Sequence, residues 1–411
     1  MKHEKHEKNS KNILILQLQG ACYNSYTYFS DRIAGQLRHL GYNVCVFSTD
    51  REPLSALERF SGQSFDAVID CNSGAPRLKT EAGGYFLDEI DAPFYNLLLD
   101  HPLYHHDSLK CSLKNYHVRC LDENHAVYIQ NYYPHMQSVG LWTATGSRIR
   151  TGDNTGSDDA FTDNRISNHT SSLPAIKDRS IPVLFCGTYT DPEDVLSAIR
   201  ELPSFIQEDL HCLIRTLLAD PTQTIESAIT TLGDTLNVYL PEAMPLFVQS
   251  CFLADTYVRA YRRRALISAA DRAKLPLLLV GADWEKLPLS PNSSVSIRPG
   301  IPYTETFSLM ANSHITLNLM PEFKAGFHDR IFSAMLNGSV AATDPSGRLL
   351  REFTDGRELL YYDVMHMEEG CERLREVLEK PRMLQEIADL GLTAASERFT
   401  WQALVSSFAV L

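Results

Sequence analysis

The sequence predicts an α/β protein of two doubly wound, Rossmann-like lobes facing a cleft, with a helical insert in the second lobe. Three observations predict it. Short apolar runs alternate with amphipathic segments up to about residue 100, and again after about residue 275. Strands that are apolar along their whole length belong to parallel sheets covered on both faces. Between the two series, residues 145–180 are rich in Ser, Thr, Asp, Asn and Gly and read as a flexible linker or loop. From about 192 to 274 the signal is helical, with little strand character.

The elements follow in order. In the first lobe, residues 1–144, "NILILQLQ" (12–19) reads as a buried strand. "SYTYFSDRIAGQLRHLGY" reads as a helix stopped at Gly41. "NVCVFST" is a second strand, "EPLSALERFSG" a helix closed by Gly62, and "FDAVIDC" and "APFYNLLLD" the third and fourth strands. Right-handed crossovers between such strands give a doubly wound domain. The pattern fades near Trp142. In the second lobe, residues 181–396, the strands are "IPVLFCGTY", "LPLLLVG", "SVSIRPG", "HITLNLM", "SVAATD" and "ELLYYD". "FTWQALVSSFAVL", within the closing segment 397–411, is amphipathic and is expected to pack back across the lobes.

Composition narrows the function. The 411 residues carry a formal net charge of −13, which argues against broad nucleic-acid binding and against adhesion to an anionic membrane. No apolar run is long enough for a transmembrane segment. "MKHEKHEKNSKN" is followed by too short an apolar run to be a signal peptide, so a cytoplasmic protein is expected. The nine cysteines are scattered, with no CxxC pair, and read as free thiols rather than disulfides or a zinc site.

In open parallel sheets, ligands bind at the carboxyl ends of the strands. Two clusters stand there. "GFHDRIFSAMLNGSVAATD" (326–344) is a glycine turn, a helix and a strand, with His328, Asp329 and Arg330 in the first helical turn. A helix N-terminus attracts phosphate, Gly326 admits close approach, Arg330 forks onto phosphate oxygens, and Lys324 adds a point charge. The plainer alternative is a self-capped helix with Arg330 in a surface ion pair; the position between two strands favours the phosphate site. In the first lobe, "LLLDHPLYHHD" places Asp100, His101, His105 and His106 directly after a strand. Either His101 is a general base oriented by Asp100, or Asp100 is the base and His101 a turn residue. No partner cysteine or carboxylate sits at zinc-ligand spacing, and no metal site is expected. "YRRRA" (261–265) reads as a solvated basic face, or as an attractor for an acidic acceptor.

Residues from about 181 to 408 resemble the C-terminal lobe of GT-B glycosyltransferases, in particular the group-one, CgeB-like set. The resemblance rests on "FCGTYTDPED", "LLLVGADWEK", "FTWQALV" and, above all, "IRPGIPYTETFSLMANSHITLNLMPEFKAGFHDRIFSAMLNGSVAATD". It implies a hexosyl transfer from a nucleotide-diphosphate sugar, a UDP-sugar first, to a protein or glycan acceptor, as in bacterial glycan or protein glycosylation, with no metal and no further cofactor. It places Gly187 and Thr188 near the donor phosphates or sugar, and Gly300 and Ile301 against the base. Lys324, Gly326, His328 and Arg330 would hold the diphosphate. Many members carry a ribose-binding carboxylate where this chain has Ser333. The rival readings are a sugar-nucleotide 2-epimerase on the same fold and a non-catalytic nucleotide-sugar-binding scaffold. "HAVYIQNYYPHM" (125–136) is either a strand with core-packed tyrosines or an aromatic lining for the acceptor.

Overall fold

A computed structural model describes residues 11–18, 22–149 and 173–408. The first sheet holds β1 (Asn12–Gln17), β2 (Asn43–Ser48), β3 (Ala67–Cys71), β4 (Phe94–Leu98), β5 (Tyr116–Cys120) and β6 (Ser138–Leu141). Their spatial order is β2-β1-β3-β4-β5-β6 and every pairing is parallel. The second sheet holds β7 (Ile181–Cys186), β8 (Leu277–Val280), β9 (Val295–Arg298), β10 (Ser313–Leu317), β11 (Val340–Thr343) and β12 (Leu360–Tyr361). Its order is β12-β11-β10-β7-β8-β9, again all parallel. In each sheet the winding direction reverses beside the first strand, so crevices open past the ends of β1 and β3, and of β7 and β10. These are the two-lobed α/β architecture and the doubly wound sheets that the sequence predicts.

Three elements differ from expectation. "EPLSALERFSG" forms a 3-10 helix, Leu54–Phe60, whose buried Leu57 and Phe60 stand three residues apart and share a face at that period. "HAVYIQNYYPHM" lies in an α-helix, Glu123–Tyr132, not a strand. Asp122 caps it by accepting from Asn124 N at 2.7 Å, and Ala126, Ile129 and Tyr133 then fall on the core side. β5 was hidden because "YHVRC" alternates: Tyr116, Val118 and Cys120 are buried, while His117 and Arg119 point outward. Of the two alternatives, core packing holds for Tyr128 on the helix and Tyr133 just past it, while Tyr132 is half-buried.

The insert comprises the helices Pro192–Arg200, Ser204–Ala219, Ile225–Leu232, Met244–Ser250 and Phe252–Arg272. Although it belongs to the second lobe in sequence, its Leu213, Ile229 and Val248 join Leu14, Val68 and Phe94 of the first sheet in one continuous apolar core. The final helix, Trp401–Phe408, packs against the first lobe: the Trp401 ring lies 5.3 Å from that of Phe29 on the helix Ser25–His39.

Two polar fastenings fix the lobes together. Asp122 is fully buried, and its second carboxylate oxygen accepts from Ala325 N of the other lobe at 2.7 Å. Gly326 makes that approach possible, since a Cβ there would lie 2.6 Å from the Leu121 carbonyl oxygen. Residues 145–149, expected to belong to a flexible linker, are instead a strap laid over the helix Asp329–Leu336. Ser147 N donates to Ser333 Oγ (3.1 Å), Trp401 Nε1 to Ser147 Oγ (2.9 Å), and Asn337 Nδ2 to the Ser147 carbonyl (2.8 Å). Backbone amides are costly to bury unpaired, which is why a polar segment is held here and not released. Residues 150–172 of the expected linker lie outside the described residues. Among the described residues no helix is long and apolar enough to cross a membrane.

The strap needs a glycine where it crosses the helix. A Cβ on Gly146 would stand 2.3 Å from the Phe332 carbonyl carbon, against backbone that cannot yield. Gly146→Ala is expected to lower stability by about 1–3 kcal/mol in urea unfolding. Gly84→Ala, whose nearest neighbour would be a side chain at 3.5 Å, is expected to leave it unchanged. Equal behaviour of the two variants contradicts the packing described.

Candidate functional site

A cavity of about 410 Å³ lies between the lobes, at the carboxyl ends of both sheets. The second lobe contributes Gly187 and Thr188 after β7, Gly300 and Ile301 after β9, and His328, Arg330 and Ser333 from the helix Asp329–Leu336 and its cap. The first lobe contributes Asp100, after β4. Of the eleven residues assigned from sequence to catalysis or donor binding, eight share one cavity. Three do not, and each has another task.

His101 is 4% exposed and turned away from the cavity. Its Nδ1 accepts from Leu103 N at 3.0 Å, capping a short turn, and its Nε2 meets Glu226 of the insert at 3.3 Å. It joins the insert to the first lobe and is not placed to act as a base. Lys324 donates to the Pro221 carbonyl at 2.6 Å and lines a separate cavity of about 300 Å³ with Asp344, so its charge is spent away from the phosphate position. Gly326 is committed to the contact with Asp122.

At the mouth of the helix, His328 is the N-cap. Its Nδ1 accepts from Arg330 N (3.2 Å) when unprotonated, or donates to Asp329 Oδ1 (2.9 Å) when it carries a proton. Asp329 also accepts from Tyr303 OH at 2.5 Å. Burial alone would raise the Asp329 carboxyl; His328 and the Tyr303 hydroxyl outweigh it and bring it down to about 2. Burial, then the same carboxylate, holds the Tyr303 phenol well above its usual value, so it remains a donor. Ser333, at the expected ribose position, is 1% exposed and its oxygen is engaged by the strap.

Arg330 donates to Asn318 Oδ1 at 2.9 Å and meets no carboxylate within ion-pair distance among the described residues. Its neighbour was not singled out from the sequence. Arg263, the middle arginine of "YRRRA", enters the cavity from the helix Phe252–Arg272 and donates to the Thr188 carbonyl. It too forms no ion pair among the described residues, and its Nε is buried without a partner. Both guanidinium carbons lie over the ring of Phe185, at 5.9 and 5.8 Å. Burial first, and then the neighbouring Arg330, pull Arg263 down to about 10. The other two arginines of the run go elsewhere: Arg262 donates to the carbonyls of Leu218 and Val364, and Arg264 pairs with Asp191. Helical rotation separates three adjacent charges onto three surfaces, which a reading of the run as one basic face misses.

The second-lobe wall of the cavity therefore carries Arg263 and Arg330, with the ionised Asp329 beside Arg330, and the first lobe contributes a carboxylate, Asp100. Such a wall suits an anion, because two neighbouring guanidiniums that form no ion pair repel, and at Arg263 burial and Arg330 outweigh the opposing charge of Glu322. Among the described residues no three His, Cys, Asp or Glu side chains converge as metal ligands do.

The Asp329 cluster yields a stability prediction. A carboxyl held near 2 when folded and near 4 when unfolded stabilises the fold above about pH 4 by about 2–3 kcal/mol, and loses that contribution as pH falls through about 2. Asp329→Asn is expected to lower stability at neutral pH, with the gap to the parent protein closing between pH 4 and pH 2. A gap independent of pH contradicts the ionised, hydrogen-bonded Asp329.

Residues 262–409 match the family described as "Glycosyl transferase-like". No curated protein matches the chain by sequence. Three solved structures share its fold over nearly its whole length. They are AviGT4, a glycosyltransferase involved in avilamycin A biosynthesis (10% identity, 97% of this chain and 96% of that one, TM-score 0.51), and sucrose-phosphate synthase from Thermosynechococcus elongatus (11%, 97% and 98%, 0.52). The third is Anabaena HepE in complex with UDP-glucose (12%, 98% and 100%, 0.51). The match begins inside the helix that carries Arg263 and runs through the helix that carries Arg330, so that residues 262–409 are similar to a glycosyl transferase-like domain, and the whole chain shares the two-lobed GT-B fold of these solved structures.

Proposed function

We propose that this protein transfers a hexose from a UDP-sugar to a protein or glycan acceptor, without a metal. The observation that carries the reading is the pair of unpaired guanidiniums, Arg263 and Arg330, beside the N-terminus of the helix Asp329–Leu336 in the interlobe cavity. As the bond from sugar to diphosphate breaks, negative charge grows on the diphosphate. Two fixed cations and the positive end of the helix dipole stabilise that charge without reorganising. They supply the counter-charge that a divalent cation would otherwise bring. Gly187, Thr188, Gly300 and Ile301 surround the remainder of the nucleotide sugar. The complex of HepE with UDP-glucose, on the same fold, supports UDP as the nucleotide. The matched glycosyl transferase-like region supports the group-one, CgeB-like resemblance of the second lobe.

Asp100 is the base of the first lobe. It lines the cavity opposite the cationic wall, and it takes the proton of the acceptor hydroxyl as that oxygen attacks the anomeric carbon. Eight described cysteines are free thiols, which suits a reducing cytoplasm, where nucleotide sugars are at hand.

Calorimetric titration with UDP tests the donor site. Arg263→Ala and Arg330→Ala are each expected to weaken UDP by at least about tenfold, or about 1.4 kcal/mol, while Lys324→Met changes it by less than about twofold. Chelation of divalent cations is expected to leave the parent affinity unchanged. Undiminished binding by both arginine variants, or loss of binding on chelation, overturns the reading.

A further inference from the structure

The carboxylate of Asp100 is held from one side only. Asn72, directly after β3, adopts φ 45°, the left-handed region that few residues other than glycine enter without cost. It is 3% exposed. Its Oδ1 accepts from Leu99 N at 2.8 Å, which fixes the orientation of the amide. Its Nδ2 consequently faces Asp100 Oδ2, at 2.7 Å, and Tyr26 OH, at 2.8 Å. Tyr26 OH in turn donates to the same Oδ2 at 3.1 Å. Both donors converge on Oδ2, and Oδ1 receives no hydrogen bond among the described residues.

We infer that Asn72 is a positioning residue for transfer: with Tyr26 it clamps Oδ2 of Asp100 and leaves Oδ1 to take the acceptor's proton. The inference rests on the reading of Asp100 as the base. The step balances. The acceptor O–H proton passes to Oδ1, the acceptor oxygen bonds to the anomeric carbon, and the bond from that carbon to the diphosphate oxygen breaks with its electron pair. Three elements meet at this clamp: the helix Ser25–His39 through Tyr26, the end of β3 through Asn72, and the end of β4 through Asp100. Residues from separate elements fix a carboxylate more closely than a single turn does, and the strain at Asn72 is of the kind that surrounding structure must hold in place.

The test uses UDP release from UDP-glucose with water as acceptor. Asn72→Gly removes the amide but suits φ 45° better than asparagine does, so the fold is retained. It is expected to lower kcat by about tenfold or more with KM for UDP-glucose unchanged, and Tyr26→Phe, which removes the longer bond, to lower it less. In the Asp100→Asn background, Asn72→Gly is expected to cause no further loss, because it acts through Asp100. Full kcat in Asn72→Gly alongside an inactive Asp100→Asn, or additive losses in the double variant, overturns the positioning role alone. Full kcat in Asp100→Asn overturns the base assignment beneath it.

Discussion

Two guanidinium groups share one cavity wall and neither forms an ion pair among the described residues, and the functional geometry follows from their repulsion. Arg263 and Arg330 come from different helices and meet over one aromatic ring, that of Phe185 on β7. Their carbonyl and amide partners, Thr188 and Asn318, orient them but bring no charge. A protein that needed only stability would place an acid in ion-pair contact here, as it does for Arg259 of the same long helix, which pairs with Asp255 of that helix and with Glu322 after β10. With no acid in ion-pair contact with either arginine among the described residues, the wall is suited to a ligand that brings negative charge.

The cavity is deep because the lobes are bound to one another in several ways at once. The insert packs its apolar faces on the first sheet, the strap 145–149 lies across the helix of the second lobe, and the terminal helix returns to the first. Asp122 closes the arrangement by capping a helix in one lobe with one oxygen and gripping a loop of the other with its second. The residues that bear the charge are thus set on rigid elements, and the opposing carboxylate of Asp100 is clamped from the other side.

Much of the fold was legible because strands buried on both faces are apolar without interruption, and seven of the twelve strands stand out in that way or nearly so. β5 was not, since its alternating pattern belongs to a half-covered strand. Position along the chain was legible: Gly187 and Asp100, each just past a strand end, and Arg330, after a glycine turn, line one cavity. Legibility failed where identity and direction part. His101 and Lys324 have the right chemistry at the right place in the chain, but their side chains are drawn off by Glu226 and by the Pro221 carbonyl, both from the distant insert. Arg263 was hidden for the converse reason. A run of three arginines looks like a solvated face until the helix rotates its middle member inward.

A crystal structure of the protein with UDP tests the central claim most directly. The diphosphate is expected between the guanidiniums of Arg263 and Arg330, beside the N-terminus of the helix that opens at Asp329. A nucleotide seated elsewhere, or a diphosphate drawn to Lys324 with both arginines unengaged, would contradict it.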